Sequence, residues 1–193
     1  MATKGMDTKE KIVQSALDLI HTGGFCATSM NDIVEATGVK KGNLYFHYSG
    51  KDELGLAVIR EARRQYNAYL RDRITGDTPF RRLESLLDAI VSFHRSRDFR
   101  GGCIFGNTAL ELGGQHEGFS DLIRDVFREW TVMLAGMIDN AKEAGEVRED
   151  IKTEVLARHI VALLEGGVMM SKLSGSDRDL TDCVKSITAM IRP

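Results

Sequence analysis

The sequence predicts an all-α protein of nine helices, and three observations lead there. Apolar residues recur at three- and four-residue spacing along most of the 193 residues, and no stretch alternates as a strand would. Pro79 is the only proline inside the chain, the other being the last residue, Pro193. Helical segments therefore meet almost no internal breaker. Glycine pairs such as Gly23-Gly24, Gly101-Gly102 and Gly113-Gly114 punctuate the periodic stretches where a helix has to stop.

The elements follow in order. Ile12, Val13, Ala16, Leu17 and Ile20 form one buried face of a helix over 7–22, which Gly23-Gly24 ends. Thr28 or Ser29 can cap a second helix, with Ser29 and Asp32 spaced as a capping box, and Gly38 stops it. A third short helix spans 40–47, so 29–48 has helix-turn-helix grammar. A long fourth helix over 51–73 carries Leu54, Val58, Ala62 and Tyr66 on one stripe, and Gly76 breaks the chain after it. Thr78-Pro79 opens a fifth, with Leu83, Leu86, Leu87, Ile90, Val91 and His94. A short apolar sixth helix lies between Gly101-Gly102 and Gly113-Gly114. Long helices over 118–144 and 150–173 follow, and Ser176 with Asp179 resembles a cap for the last helix.

Composition removes several classes. Hydrophobic residues are 42% and charged residues 28% of the chain, which supplies a core and excludes a disordered tail. No apolar run approaches the ~20 residues of a membrane span. The first residues, MATKGMDTKEK, hold no apolar signal core, so a cytoplasmic protein with no membrane partner is expected. Cys26, Cys103 and Cys183 are too scattered for a disulfide framework or a CxxC metal site. His94 and His159 read as satisfied histidines, and neither a metal nor a cofactor is expected.

The net charge is −2, yet no acidic residue lies between Glu35 and Asp52, where Lys40, Lys41, His47 and Lys51 occur. A recognition helix places its N-terminal residues in the major groove, and lysines and backbone N–H groups hold phosphates. Gly42 lets the backbone come close, and Tyr45 can donate to phosphate or pack on a thymine methyl. The residues alone leave a second reading open, in which Leu44, Phe46 and Tyr48 are core and the lysines are merely solvated.

Residues 7–66 resemble the DNA-binding domain of the tetracycline-repressor (TetR) family of bacterial regulators. Ile12, Ala16, Leu19, Gly24, Phe25, Thr28, Asp32, Ile33, Gly38, Val39, Leu44, Tyr48 and Leu54 carry the resemblance, and above all the stretch KGNLYFHYSGKDEL. It implies a DNA-binding domain over 6–66, with its helix-turn-helix at 29–48, and a ligand-binding and dimerisation domain over 67–193. It implies DNA contacts at Lys40, Lys41, Gly42, Tyr45, His47 and Lys51. Two positions depart from the family pattern. Phe46 replaces a frequent Tyr and so offers no hydroxyl to phosphate, and Met30 stands where a hydroxyl residue is common.

The second half is less diagnostic. Apolar faces on the last two helices, with Leu180, Val184 and Ile187, can pair across a two-fold axis as a four-helix bundle, or can be core within one chain. Gly166-Gly167 permits close helix approach. Phe93, Phe105, Trp130, Met133, Met137, Met169 and Met170 are candidates to line an effector cavity, against the plainer reading as core. RGGCIFGNTALELGG is similar to a segment in one branch of the family, some of whose members respond to electrophiles or oxidants through a cysteine there. The resemblance makes Cys103 and Lys172 sensing candidates, with Arg97 and Arg100 close in sequence; Cys26 and Cys183 read as buried.

The implied function is a homodimeric DNA-binding regulator, a repressor released from a palindromic operator by a small molecule or an electrophile, with the fourth helix carrying the movement. The rivals are an enzyme using Cys103 with His94 or His159, which has no catalytic spacing to support it, and a protein-only adaptor, which leaves the basic stretch at 40–51 without a use.

Overall fold

The computed structural model describes residues 4–193, and all regular structure there is helical. The helices are α1 (Lys4–Gly23), α2 (Met30–Thr37), α3 (Lys41–His47), α4 (Lys51–Arg71), α5 (Pro79–Arg95), α6 (Ile104–Leu112), α7 (Glu117–Glu143), α8 (Thr153–Ser174) and α9 (Arg178–Ile191). They fall into two compact units. The first joins the chain up to Gln65 with Ile104–Ile123; the second joins Tyr66–Cys103 with Arg124–Pro193. Packing gives α6 and the start of α7 to the first unit, along with the chain up to Gln65.

The residues of the first unit show why. Ile12, Ala16 and Ile20 of α1, Ile33 of α2, Leu44 of α3 and Leu54, Val58 and Ile59 of α4 are buried together with Phe119 of α7. Phe25 and Phe119 meet edge to face, centroids 4.9 Å apart. Gly55 makes room for them: a Cβ there would lie 2.3 Å from the Phe25 ring and 2.8 Å from that of Phe119. Glu111 of α6 accepts the backbone N–H of Cys26 at 2.7 Å and of Phe25 at 3.3 Å. His116 Nε2 lies 3.2 Å from the Asp52 carboxylate.

In the second unit, Thr78 caps α5 by accepting the Arg81 N–H, and Pro79 is its first residue. Proline suits that position because its missing N–H would be unpaired anyway. Leu83, Leu86 and Leu87 of α5, Leu156 and Ile160 of α8 and Leu180, Ile187 and Ile191 of α9 are buried. Gly167 allows α8 and α9 to touch, since a Cβ there would stand 3.1 Å from the Leu180 Cα. Buried Ser171 accepts the Leu180 N–H at 3.0 Å.

Among the helix starts that differ from expectation, those of α8 and α9 have a local cause. α8 begins at Thr153 rather than 150, because Asp150 pairs with Arg148 and Lys142 holds the Ile151 carbonyl. α9 has Asp177 at its N-cap position with no side-chain cap; Asp179 accepts from Ser174 Oγ instead, and Ser176 Oγ takes the Arg178 N–H.

Candidate nucleic-acid interface

The turn before α3 is fixed by local hydrogen bonds. Ser29 Oγ accepts the Asp32 N–H at 3.2 Å, and the Asp32 carboxylate accepts the Ser29 N–H at 2.7 Å. Those bonds, first the one from the Ser29 backbone, hold the Asp32 carboxyl below its ordinary range. At the other end of α2, Gly38 takes φ +64° and returns its N–H to Val34. An L side chain resists that left-handed conformation. Buried Thr37 donates to the Ile33 carbonyl at 2.7 Å and accepts the Val39 N–H at 3.2 Å. The start of α3 is thereby set without any long-range contact.

Leu44 is the one buried residue of α3, and Tyr48 is buried just after it. Positions 44 and 48 share a face, and 42 and 46 lie on the opposite one. Lys40, Lys41, Gly42, Asn43 and Tyr45 are exposed, and nothing stands within 4 Å of a Cβ built on Gly42. Phe46 is 85% exposed. The reading that put Phe46 in the core is corrected: it sits two residues from Leu44, half a helical turn away from the buried side. Asn43 joins the outward set and went unnoticed in the sequence, although the same wheel marks it.

His47 is half-buried, its ring edge-on to Phe46 with centroids 5.3 Å apart. The Lys41 ammonium lies 6.0 Å from the Tyr45 ring centroid. Lys51 is also half-buried and already engaged: it donates to the Cys26 carbonyl at 3.1 Å and stands 4.5 Å from the Phe25 ring centroid. It ties the start of α4 to the α1–α2 loop. Cys26 is exposed, which corrects the buried reading: Phe25 takes the inward place and its neighbour turns out. Desolvation by the surrounding loop, and then the adjacent Glu111, push the Cys26 thiol up.

The model of the "Bacterial regulatory proteins, tetR family" matches residues 12–58, and the "Tetracyclin repressor-like, C-terminal domain" matches residues 79–187. The chain belongs to the TetR family. Relatives agree along nearly its whole length. The transcriptional repressor DhaR of Mycobacterium sp. (strain GP1) is 24% identical over 96% of this chain and 92% of its own. An uncharacterised helix-turn-helix-type regulator of Lactococcus lactis subsp. lactis is 29% identical, covering 87% of this chain and 85% of its own. The crystal structure of a TetR transcriptional regulator from Chloroflexus aurantiacus J-10-FL superposes with a TM-score of 0.89 at 26% identity, covering 98% of each chain. This TetR-family chain is thus a helix-turn-helix transcriptional regulator and not an enzyme. TetR regulators bind DNA and small-molecule effectors, typically as dimers. Among the described residues no helix is long and apolar enough to cross a membrane.

The remaining TetR-family candidates lie in the second unit, apart from Phe105, which is buried in α6 of the first. Tyr66, Trp130 and Met133 line a cavity of about 30 Å³ with Leu70, Leu86, Ile90, Leu134, Val161 and Leu164. That is the share of one water molecule, against the roughly 300–1,000 Å³ of a ligand pocket. Phe93 backs it, its ring 4.7 Å from that of Tyr66 and 5.0 Å from that of Tyr69. Met137 instead borders an open groove with Asn140 and Glu143. Met169 and Met170 are exposed, which corrects their reading as cavity lining. The inward stripe of α8 runs through Leu156, Ile160, Leu164 and Val168, and the two methionines fall outside it.

Cys103 immediately precedes α6, half-buried, after Gly101 and Gly102 at φ +78° and +70°. Lys172 does come to this place: its stem reaches within 3.0 Å of a Cβ built on Gly102. The sequence reading missed Glu165. Its carboxyl accepts a hydrogen bond from Cys103; burial pushes that acid up, and the thiol draws it partly back. Arg97 is turned elsewhere, stacked 3.9 Å from the Phe93 centroid. Cys183 is only half-buried, with its sulfur 3.1 Å from a Cβ built on Gly167. Leu180 and Ile187 have no exposed area within one protomer, and Val184 is half-buried. Among the described residues of the second unit, the large apolar side chains left open are Val132 of α7 and Leu163, Met169, Met170 and Leu173 of α8.

Proposed function

We propose that this regulator represses transcription by binding a palindromic operator as a homodimer, with Lys40, Lys41, Gly42, Tyr45 and His47 facing the DNA. The outward face of α3 carries the reading: exposed lysines beside a bare Gly42, in a stretch free of acidic residues from 36 to 51. Lysines there neutralise phosphates, and the open glycine lets the helix sink toward the base edges. Lys51 adds charge while bracing the loop it touches. The DNA-binding part is 6–66 and the effector and dimer part 67–193, with α6 packing on the former. Exposed α8 residues, rather than Leu180 and Ile187, supply the two-fold contact; Gly166 has open space around it and lets a second α8 approach.

The effector acts at the second unit. A small apolar molecule would have to widen the small cavity beside Tyr66 and Trp130, and so would select a different conformation. The finer form of the reading is covalent modification at Cys103, whose neighbours are Lys172 and Glu165. A carboxylate beside the thiol opposes a thiolate, so attack requires Glu165 to be protonated or displaced. In either form, α4 carries the change to the DNA-binding part.

The test is the salt dependence of duplex binding. Lys41→Ala should reduce the slope of log affinity against log salt by about one unit and weaken all duplexes alike. An unchanged slope and affinity would remove the interface. For the finer form, a mild electrophile should weaken operator binding by wild type and leave Cys103→Ser unaffected; an equal loss would place the modification elsewhere, the exposed Cys26 included, and no loss in either would leave only the reversible ligand.

A further inference from the structure

Phe46 presents a problem that the phosphate-contact picture does not solve. Its ring is 85% exposed on the face of α3 opposite Leu44 and Tyr48. It covers no core, and it has no donor for phosphate. Its neighbour one turn earlier on that face is Gly42, with nothing around it. The outward ridge of α3 is therefore bare backbone followed by one phenyl ring, flanked by Tyr45, itself 44% exposed, and by Lys40 and Lys41.

Once the lysines meet phosphates on the groove walls, this ridge points at the groove floor. The base edges there carry donors, acceptors and a single apolar group, the 5-methyl of thymine. A phenyl ring loses its exposed area favourably only against that methyl; against a carbonyl or amino edge it would desolvate a polar group without pairing it. His47 packs edge-on against the ring and limits where it can turn.

We propose that Phe46 is a specificity-determining residue that reads a thymine 5-methyl group in each half-site. This rests on the DNA-facing role of α3. The contact is apolar, so it selects sequence without adding to the electrostatic attraction.

The probe is a duplex selected from a random-sequence library by the purified full-length protein. Each thymidine is replaced in turn by 2′-deoxyuridine, which deletes only the methyl. At one thymidine per half-site, wild type should bind about four-fold more weakly, the worth of one buried methyl. Phe46→Ala should bind the thymidine and deoxyuridine duplexes equally at that position, and Phe46→Leu should keep part of the preference. The salt slope should be the same in all three proteins, because no phosphate contact is removed. The proposal is overturned if no replacement weakens wild type, or if Phe46→Ala keeps the full preference, which would assign the methyl to another residue. A slope lowered by about one unit in Phe46→Ala would also overturn it, making the ring a prop for a phosphate contact. If no duplex is selected at all, the DNA-facing reading itself falls, and this inference with it.

Discussion

α3 and α9 both carry apolar residues, and they spend them in opposite directions. In α3 a single leucine is buried and Phe46 points into solvent. In α9, Leu180, Ile187 and Ile191 are buried, with α8 and α5 packed against that helix, and Val184 is half-covered. The sequence reading left the opposite open in both: Phe46 as core, and Leu180 and Ile187 as surface for a second subunit. An apolar side chain specifies that it needs cover, but not who provides it. In α9 the same chain does. In α3 the basic flank and the bare Gly42 point to an external partner.

The largest expected effect breaks this contrast at α9. Leu180→Ala should cost about 2–5 kcal/mol, as the loss of a fully buried leucine does. Phe46→Ala should stay within about 0.5 kcal/mol of wild type, as exposed substitutions do. Urea unfolding measures both, and similar losses would erase the distinction.

Next is Gly55→Ala. Its methyl would collide with two rings that are themselves buried, so a loss of about 1–3 kcal/mol from overpacking is expected in the same assay. A neutral result would mean that the Phe25–Phe119 pair can shift freely.

The neighbouring glycines of α8 sharpen the comparison further. Gly167→Ala should cost about 1–3 kcal/mol at any protein concentration, because it presses on the α9 backbone. Gly166→Ala meets nothing within the protomer. Any loss it causes should shrink on dilution, toward nothing once both proteins are monomeric, as a dimer contact requires. A concentration-independent loss would move the subunit interface off α8.

The smallest effect is at α2. Ser29→Ala removes a cap worth about 1 kcal/mol. The Asp32 carboxyl is lowered in the folded protein, so its contribution is present above the unfolded-state value and is lost as pH falls through the folded one. Unfolding curves from neutral into acidic solution should show that part of the acid loss vanishing in Asp32→Asn. An unchanged acid profile would mean the carboxylate bonds to Ser29 do not persist in solution.

How much was legible follows from the range of each signal. The capping box at Ser29 and Asp32, the Gly38 stop, the Thr78-Pro79 start and the buried stripe of α1 use neighbours within about a turn, and all were readable. Cys26, Met169 and Met170 were misplaced because each lies next to a buried residue in sequence while its own direction is about 100° away on a helix or reversed at a turn. Glu165 could not be paired with Cys103 from spacing, since 62 residues separate them. Glu111 was hidden in the same way: its partners, the Phe25 and Cys26 N–H groups, have no sequence signature at all.

By itself the sequence determined the helical class, the helix-turn-helix with its basic flank and the family, because hydrogen bonds within a helix, caps and periodic apolar faces are local. Tertiary structure alone decided which apolar faces are spent inside the protomer, that α6 packs with the DNA-binding helices, and that Phe46 stands free. Those outcomes depend on which surfaces meet across long separations in the chain. Burial is non-directional and rewards any apolar partner, so only the assembled packing chooses among them.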